Sequence, residues 1–119
     1  MKLAAIKKFC ASLPYAKGEI KWDVDLVYSI GGRMFCVACT DKTGKEVVCF
    51  KVDDDRFLEM TDREGFMPAP YLARAKWVQI SDLSKIRDAE MKSLIQNSYY
   101  LVAAKLSRKL QRELGIQTG

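Results

Sequence analysis

Glu19-Ile20-Lys21-Trp22, Leu26-Val27-Tyr28-Ser29-Ile30, Gly31-Gly32, Arg33–Thr40, the polar turn Asp41–Lys45 and Glu46–Val52 form the stretch whose reading decides the fold. Each segment is short, β-branched or aromatic, and bounded by turn residues, the signature of an antiparallel meander. Leu26, Tyr28 and Ile30 alternate with Val27 and Ser29, as a half-buried strand requires. Gly31-Gly32 suits a tight hairpin turn that needs positive φ. The next strand sets Phe35, Val37 and Cys39 on one face and Met34, Cys36 and Ala38 on the other. Asp41-Lys42-Thr43-Gly44 reads as a polar loop with glycine at the left-handed position. Val48, Phe50 and Val52 then share one side of the following strand.

Around this sheet the chain reads as helix. Residues 2–13 place Leu3, Ile6, Cys10 and Leu13 on one stripe, and Pro14 ends the helix because proline disfavours helical geometry in the residue before it. Asp53-Asp54-Asp55 supplies an N-cap and a negative first turn for a short helix to about Met60, with Phe57, Leu58 and Met60 available for burial. Residues 65–70, rich in Gly and Pro, read as an irregular connection, and Lys76–Ile80 as one more strand anchored by Trp77. From Asp88 to about Glu113 a long helix carries Met91, Ile95, Ser98, Val102, Leu106 and Leu110 on one face. The expected architecture is a two-layer α+β domain over residues 1–119, an antiparallel meander sheet packed against N- and C-terminal helices, with Trp22, Phe35, Phe50 and Trp77 buried.

At 119 residues the chain is long enough to bury a core without disulfide or metal staples. No apolar run reaches the roughly 20 residues that span a bilayer, so no membrane partner is expected. Lysines interrupt the N-terminus before a signal-peptide apolar core forms, and a cytoplasmic location is the simplest reading. The net charge is +5 and unevenly spread. Residues 1–22 hold five Lys and one Glu, residues 23–84 eight basic and eleven acidic residues, and residues 85–119 seven basic and three acidic. Basic ends on a mildly acidic middle favour polyanionic partners, although lysines that merely solvate helices give the same pattern.

There is no histidine, which removes Ser-His-Asp and Cys-His catalysis and the common histidine-containing zinc sites. Neither a P-loop nor a GxGxxG motif occurs, so no cofactor and no enzymatic function is expected. Asp53-Asp54-Asp55 lacks the glycine and closing glutamate of a calcium loop. Cys36 and Cys39 imitate a metal knuckle, but residues three apart in a strand point to opposite faces. If the Asp41–Gly44 loop is four residues long, Cys36 falls opposite Cys49 and a cross-strand disulfide is conceivable. In a cytoplasmic chain, buried free thiols are the default for all four cysteines.

Lys105, Arg108, Lys109 and Arg112 stand at i, i+3, i+4 and i+7 on the last helix, four cations on one stripe. Macrodipole compensation accounts for cations there, and a phosphate-facing stripe is the rival reading. Arg33, Lys42 and Lys45 sit at hairpin tips, where they can reach a nucleic-acid groove. These seven residues are the candidate contacts to duplex DNA. A protein-interaction or chaperone-like module, with a sheet face receiving a partner segment, is the alternative, and convergence of the basic residues on one surface decides between them.

Leu13-Pro14, Glu19-Ile20-Lys21-Trp22 leading into residues 26–35, Phe50-Lys51-Val52, Pro68-Ala69-Pro70-Tyr71, Lys76-Trp77-Val78 and Ser98-Tyr99-Tyr100-Leu101-Val102 together resemble the MmcQ/YjbR-like family of small bacterial proteins. The resemblance implies an antiparallel sheet with packed helices, likened to a double-wing DNA-binding arrangement and to secretion chaperones, and hence a DNA-binding role by analogy of fold. Many such proteins carry His just before the tryptophan matched by Trp77. This chain has Ala75-Lys76 there, so no role of that histidine carries over.

Overall fold

Residues 1–21 and 25–115 are described by the structure, a computed structural model, and Trp22 lies outside them. Among the described residues the strands are β1 (Lys17–Lys21), β2 (Asp25–Ile30), β3 (Arg33–Thr40), β4 (Glu46–Lys51), β5 (Phe66–Pro68) and β6 (Trp77–Ile80). They form one antiparallel sheet in the order β1-β2-β3-β4-β6-β5. Helices α1 (Leu3–Ser12), α2 (Phe57–Thr61), α3 (Asp88–Ala103) and α4 (Arg108–Leu114) complete the α+β fold. The first four strands run in meander order, as short strands joined by tight turns should.

The expected core forms between the helices and one face of the sheet. Leu3, Ile6 and Cys10 of α1 and Met91, Ile95 and Val102 of α3 meet Tyr28, Ile30, Phe35, Val48, Phe50, Val78 and Ile80. Tyr99 stands edge-on to Phe35 with ring centroids 5.4 Å apart, and its hydroxyl donates to the Pro14 carbonyl at 2.7 Å. The pair joins the end of α1 to the sheet through α3.

Strand alternation fails at one place. Tyr28 pairs with Cys36 and Ser29 with Met34, so Phe35 is an extra residue in β3 and the ladder carries a bulge. Phe35 and Cys36 therefore both face the helices, while Met34, Val37 and Cys39 turn to the opposite face. This corrects the expected grouping of Phe35 with Val37 and Cys39. The register of the next pair is also shifted by one: Cys36 lies opposite Phe50, and Cys49 opposite Val37. The joining loop has five residues because the Asp41 carboxylate accepts from the Thr43 and Lys45 amides, each at 2.9 Å, and the Asp41 amide donates to the Lys45 carbonyl at 2.8 Å. The cross-strand disulfide that a four-residue loop would allow is thereby excluded.

Other expectations change locally. Asp53 does not cap with its side chain; its carboxylate accepts from the Asn97 amide at 3.0 Å and ties the loop to α3. In α2 Met60 is buried but Leu58 is 81% exposed, since residues two apart on a helix face opposite ways. Phe66–Pro68, within the expected irregular connection, is an edge strand, a position that tolerates proline. The long C-terminal helix is two helices. Ser107 takes extended geometry (φ −59°, ψ 150°), and its hydroxyl accepts from the Leu110 amide at 3.1 Å to cap α4.

Ser98 joins these layers. Its hydroxyl is fully buried, donates to the Phe35 carbonyl at 2.7 Å and accepts from the Lys51 amide at 3.0 Å. Continuation of the β3–β4 register would set Phe35 opposite Lys51. The hydroxyl thus stands between two backbone groups that a closed ladder would bring together. Ser98→Ala strands both groups and should cost about 2–3 kcal/mol in denaturant unfolding. A loss below about 0.5 kcal/mol would mean that the two strands simply close and bond to each other.

Candidate functional site

The face of the sheet opposite the helices is built from the alternate side chains Met34, Val37 and Cys39 of β3, Cys49 and Lys51 of β4, and Trp77 and Gln79 of β6. Part of it is covered by the segment from Ala69 to Ala75. The Ala69 amide donates to the Trp77 carbonyl at 3.0 Å, and the Trp77 amide to the Leu72 carbonyl at 3.2 Å. Ala69 and Leu72 pack on Trp77, Val37 and Val27 as a second, smaller apolar cluster. Trp77 is buried as expected, but in this layer rather than under the helices.

Two recesses open on this face. The first, about 370 Å³, is lined by Arg33, Lys51 and Lys105 around Met34, Leu72 and Trp77. Among the described residues no carboxylate belongs to its lining. The Lys51 ammonium donates to the Ala75 carbonyl. Burial holds the Lys51 pKa below the ordinary lysine value, and the charges of Lys105 and Lys76 push the same way, while Asp54 opposes them. The second recess, about 670 Å³, is lined by Val37, Cys49, Gln79, Pro70 and Tyr71, and Asp25, Asp41 and Lys42 also line it. Met34 and Leu72 line both, so the recesses adjoin.

Two of the seven basic candidates, Arg33 and Lys105, meet at one recess, and three more stand on the helix that begins beside it. Arg33 opens β3 beside the Gly31-Gly32 turn, and Lys105 lies in the break between α3 and α4; both line the first recess. A methyl group on Gly31 would come within 2.7 Å of Leu106 and 3.0 Å of Leu110, so this turn rests directly on the start of α4. Arg108, Lys109 and Arg112 are exposed on that helix. The expected single stripe is nonetheless broken, because Ser107 ends the helical path between Lys105 and Arg108. Lys42 and Lys45 stand at the other end of β3, a strand length of about 25 Å away. Lys51 was not among the candidates, although alternation with Val48 and Phe50 already turns it to the open face.

All four thiols are free, and Cys10, Cys36 and Cys49 are buried. Cys36 faces Cys10 under the helices, and a hydrogen bond with that thiol, then burial, raises its pKa well above the ordinary value. On the other face burial, with Asp25 nearby, lifts Cys39 to about 11, and burial lifts Cys49 to about 12. Among the described residues no group of His, Cys, Asp or Glu is arranged to hold a metal ion. The raised values keep Cys36, Cys39 and Cys49 as thiols at neutral pH.

A raised folded-state thiol pKa gives stability that is complete below the unfolded value of 9.0 and is lost as pH climbs toward 11 and 12. Burial raises Tyr28 and Tyr99 in the same sense. The denaturant midpoint should therefore fall between pH 9 and 11, less steeply in a Cys39→Ala, Cys49→Ala double variant. A thiol reagent at pH 8 should react slowly with the folded protein and count four thiols once it is unfolded. Rapid reaction of the folded protein at neutral pH would contradict this assignment.

No described helix is long and apolar enough to cross a membrane. A comparison with curated proteins found no match. Among solved structures, a Deinococcus radiodurans protein with a DUF419 domain superposes with a TM-score of 0.86 at 21% identity, covering 99% of this chain and 91% of that one. A Pseudomonas syringae protein superposes with a TM-score of 0.75 at 15% identity, covering 86% of this chain and 99% of that one. Both likenesses establish the fold alone. The YjbR family profile matches residues 11–101, from the end of α1 through most of α3, and the chain belongs to the YjbR family.

Proposed function

We propose that this protein binds nucleic acid through its phosphates, at the end of the sheet where Arg33, Lys51 and Lys105 surround one recess, and that it is a binding protein rather than an enzyme. The observation that carries the reading is the lining itself: three cations and, among the described residues, no carboxylate. Each like charge costs free energy that a bound phosphate would offset, and phosphate binding returns Lys51 toward its ordinary pKa. Exposed Arg108, Lys109 and Arg112 on α4 extend the positive surface from the same end. Lys42 and Lys45, at the far hairpin, drop out of the contact set. The absence of histidine and the raised thiol pKa values support a role without catalysis.

The second reading is a protein-interaction module. It is favoured by the apolar recess over Val37 and Cys49, which is large enough for a side chain or two of a partner segment.

Contacts of this kind position phosphates and carry little sequence information. With about three to five charges engaged, log K for a labelled duplex should fall with log salt at a slope near −3 to −4. Replacing Lys51 and Lys105 with Gln should weaken binding and flatten that slope by about 2. The Lys42→Gln, Lys45→Gln variant should bind as the parent does. Absence of binding to duplex and single strand alike at low salt, or a loss that follows Lys42 and Lys45 instead, would refute the assignment.

A further inference from the structure

Resting on that phosphate reading, we propose that the nucleic acid taken is single-stranded, with an unstacked base lodged in the apolar recess that adjoins the basic one, against Tyr71. The two recesses share Met34 and Leu72, so a base next to a phosphate held by Lys51 and Lys105 lies at the mouth of the second. That recess has an apolar floor in Val37 and Cys49; the Gln79 amide nitrogen donates to Ser81 Oγ at 3.1 Å, and its oxygen, which accepts from the Cys49 thiol at 3.6 Å, keeps a second lone pair for a base N–H. Paired, stacked bases of a duplex have no free face to offer a recess walled by Pro70, Tyr71 and Leu72. At its far end Asp25 and Asp41 outnumber Lys42, a net negative charge that disfavours phosphate, so the strand enters from the basic end and its backbone stays there.

Tyr71 supplies the independent observation. Ala69-Pro70-Tyr71-Leu72 is a turn closed by the Leu72 amide on the Ala69 carbonyl at 3.1 Å, with proline at its second position. Tyr71 occupies the third position at φ 66°, where a type II turn calls for glycine. Its side chain is wholly exposed, at 104% of the reference surface, so neither the turn nor the core accounts for a tyrosine there. A strained residue that holds an aromatic ring in water at the rim of an apolar recess beside a cation cluster has the makings of a stacking platform.

The test is fluorescence anisotropy with a short labelled oligothymidylate and with a duplex of equal length, at matched low salt. The parent should bind the single strand about tenfold or more tighter than the duplex. Tyr71→Gly, which suits the turn and should leave the thermal midpoint unchanged or raised, should lose about tenfold on the single strand, whereas Tyr71→Phe should keep it. Equal affinity for the two probes, or a Tyr71→Gly variant that binds oligothymidylate as the parent does, would overturn the single-strand inference. If the Lys51→Gln, Lys105→Gln variant then loses both probes alike, the phosphate reading stands without it. Failure of both probes at low salt removes both readings and leaves the recess to a protein segment.

Discussion

A single buried hydroxyl, that of Ser98, sets the geometry on which the open face depends. It lies between the Phe35 carbonyl and the Lys51 amide, satisfying both, and keeps β3 and β4 from closing where their register would pair them. The serine can do this because α3 runs across the sheet at that level, with Tyr99 beside it packed edge-on to Phe35. Buried backbone groups must find partners, and here a helix side chain provides them in place of the neighbouring strand. Lys51 is the last residue of β4, paired with Trp77 on the next strand, and its side chain leaves the opened end toward Ala75.

The bulge at Phe35 and the Ser107 break act on the same corner of the molecule. The bulge turns Met34 away from the helices and makes it the wall between the two recesses. The break lets the chain change direction after Lys105, so that Leu106 and Leu110 reach beneath Gly31. Gly31 has a positive φ of 59° and no Cβ, and both are needed for that close approach. Arg33 and Lys105 come from residues 72 positions apart, and this contact is what makes them neighbours.

The sheet was largely legible because alternation and turn residues report local geometry. Arg33–Thr40 has the bounds its pattern predicts, and Phe35, Phe50 and Trp77 are buried as their size demands. The bulge was not legible: no residue marks Phe35 as extra, and its place follows from packing on Tyr99 and Ser98, far along the chain. The fifth residue of the Asp41–Lys45 loop depends on how one carboxylate distributes its hydrogen bonds, which spacing does not reveal. The helix break was hidden because Leu106 and Leu110 continue the apolar period across it; Ser107 was the available signal. The site was half legible for a related reason. Arg33 and Lys105 were visible as charges, but their neighbourhood with Lys51 and the separation of Lys42 and Lys45 are consequences of topology.

The claim that phosphate recognition belongs to the Ser98 end of the sheet is tested most directly by mapping where a ligand perturbs the backbone. In a titration of the isotope-labelled protein with a short oligothymidylate at low salt, amide shifts should centre on Met34, Lys51, Leu72, Trp77 and Lys105. The Asp41–Lys45 loop should stay unmoved. Shifts centred on that loop, or scattered evenly over the exposed lysines, would contradict the account.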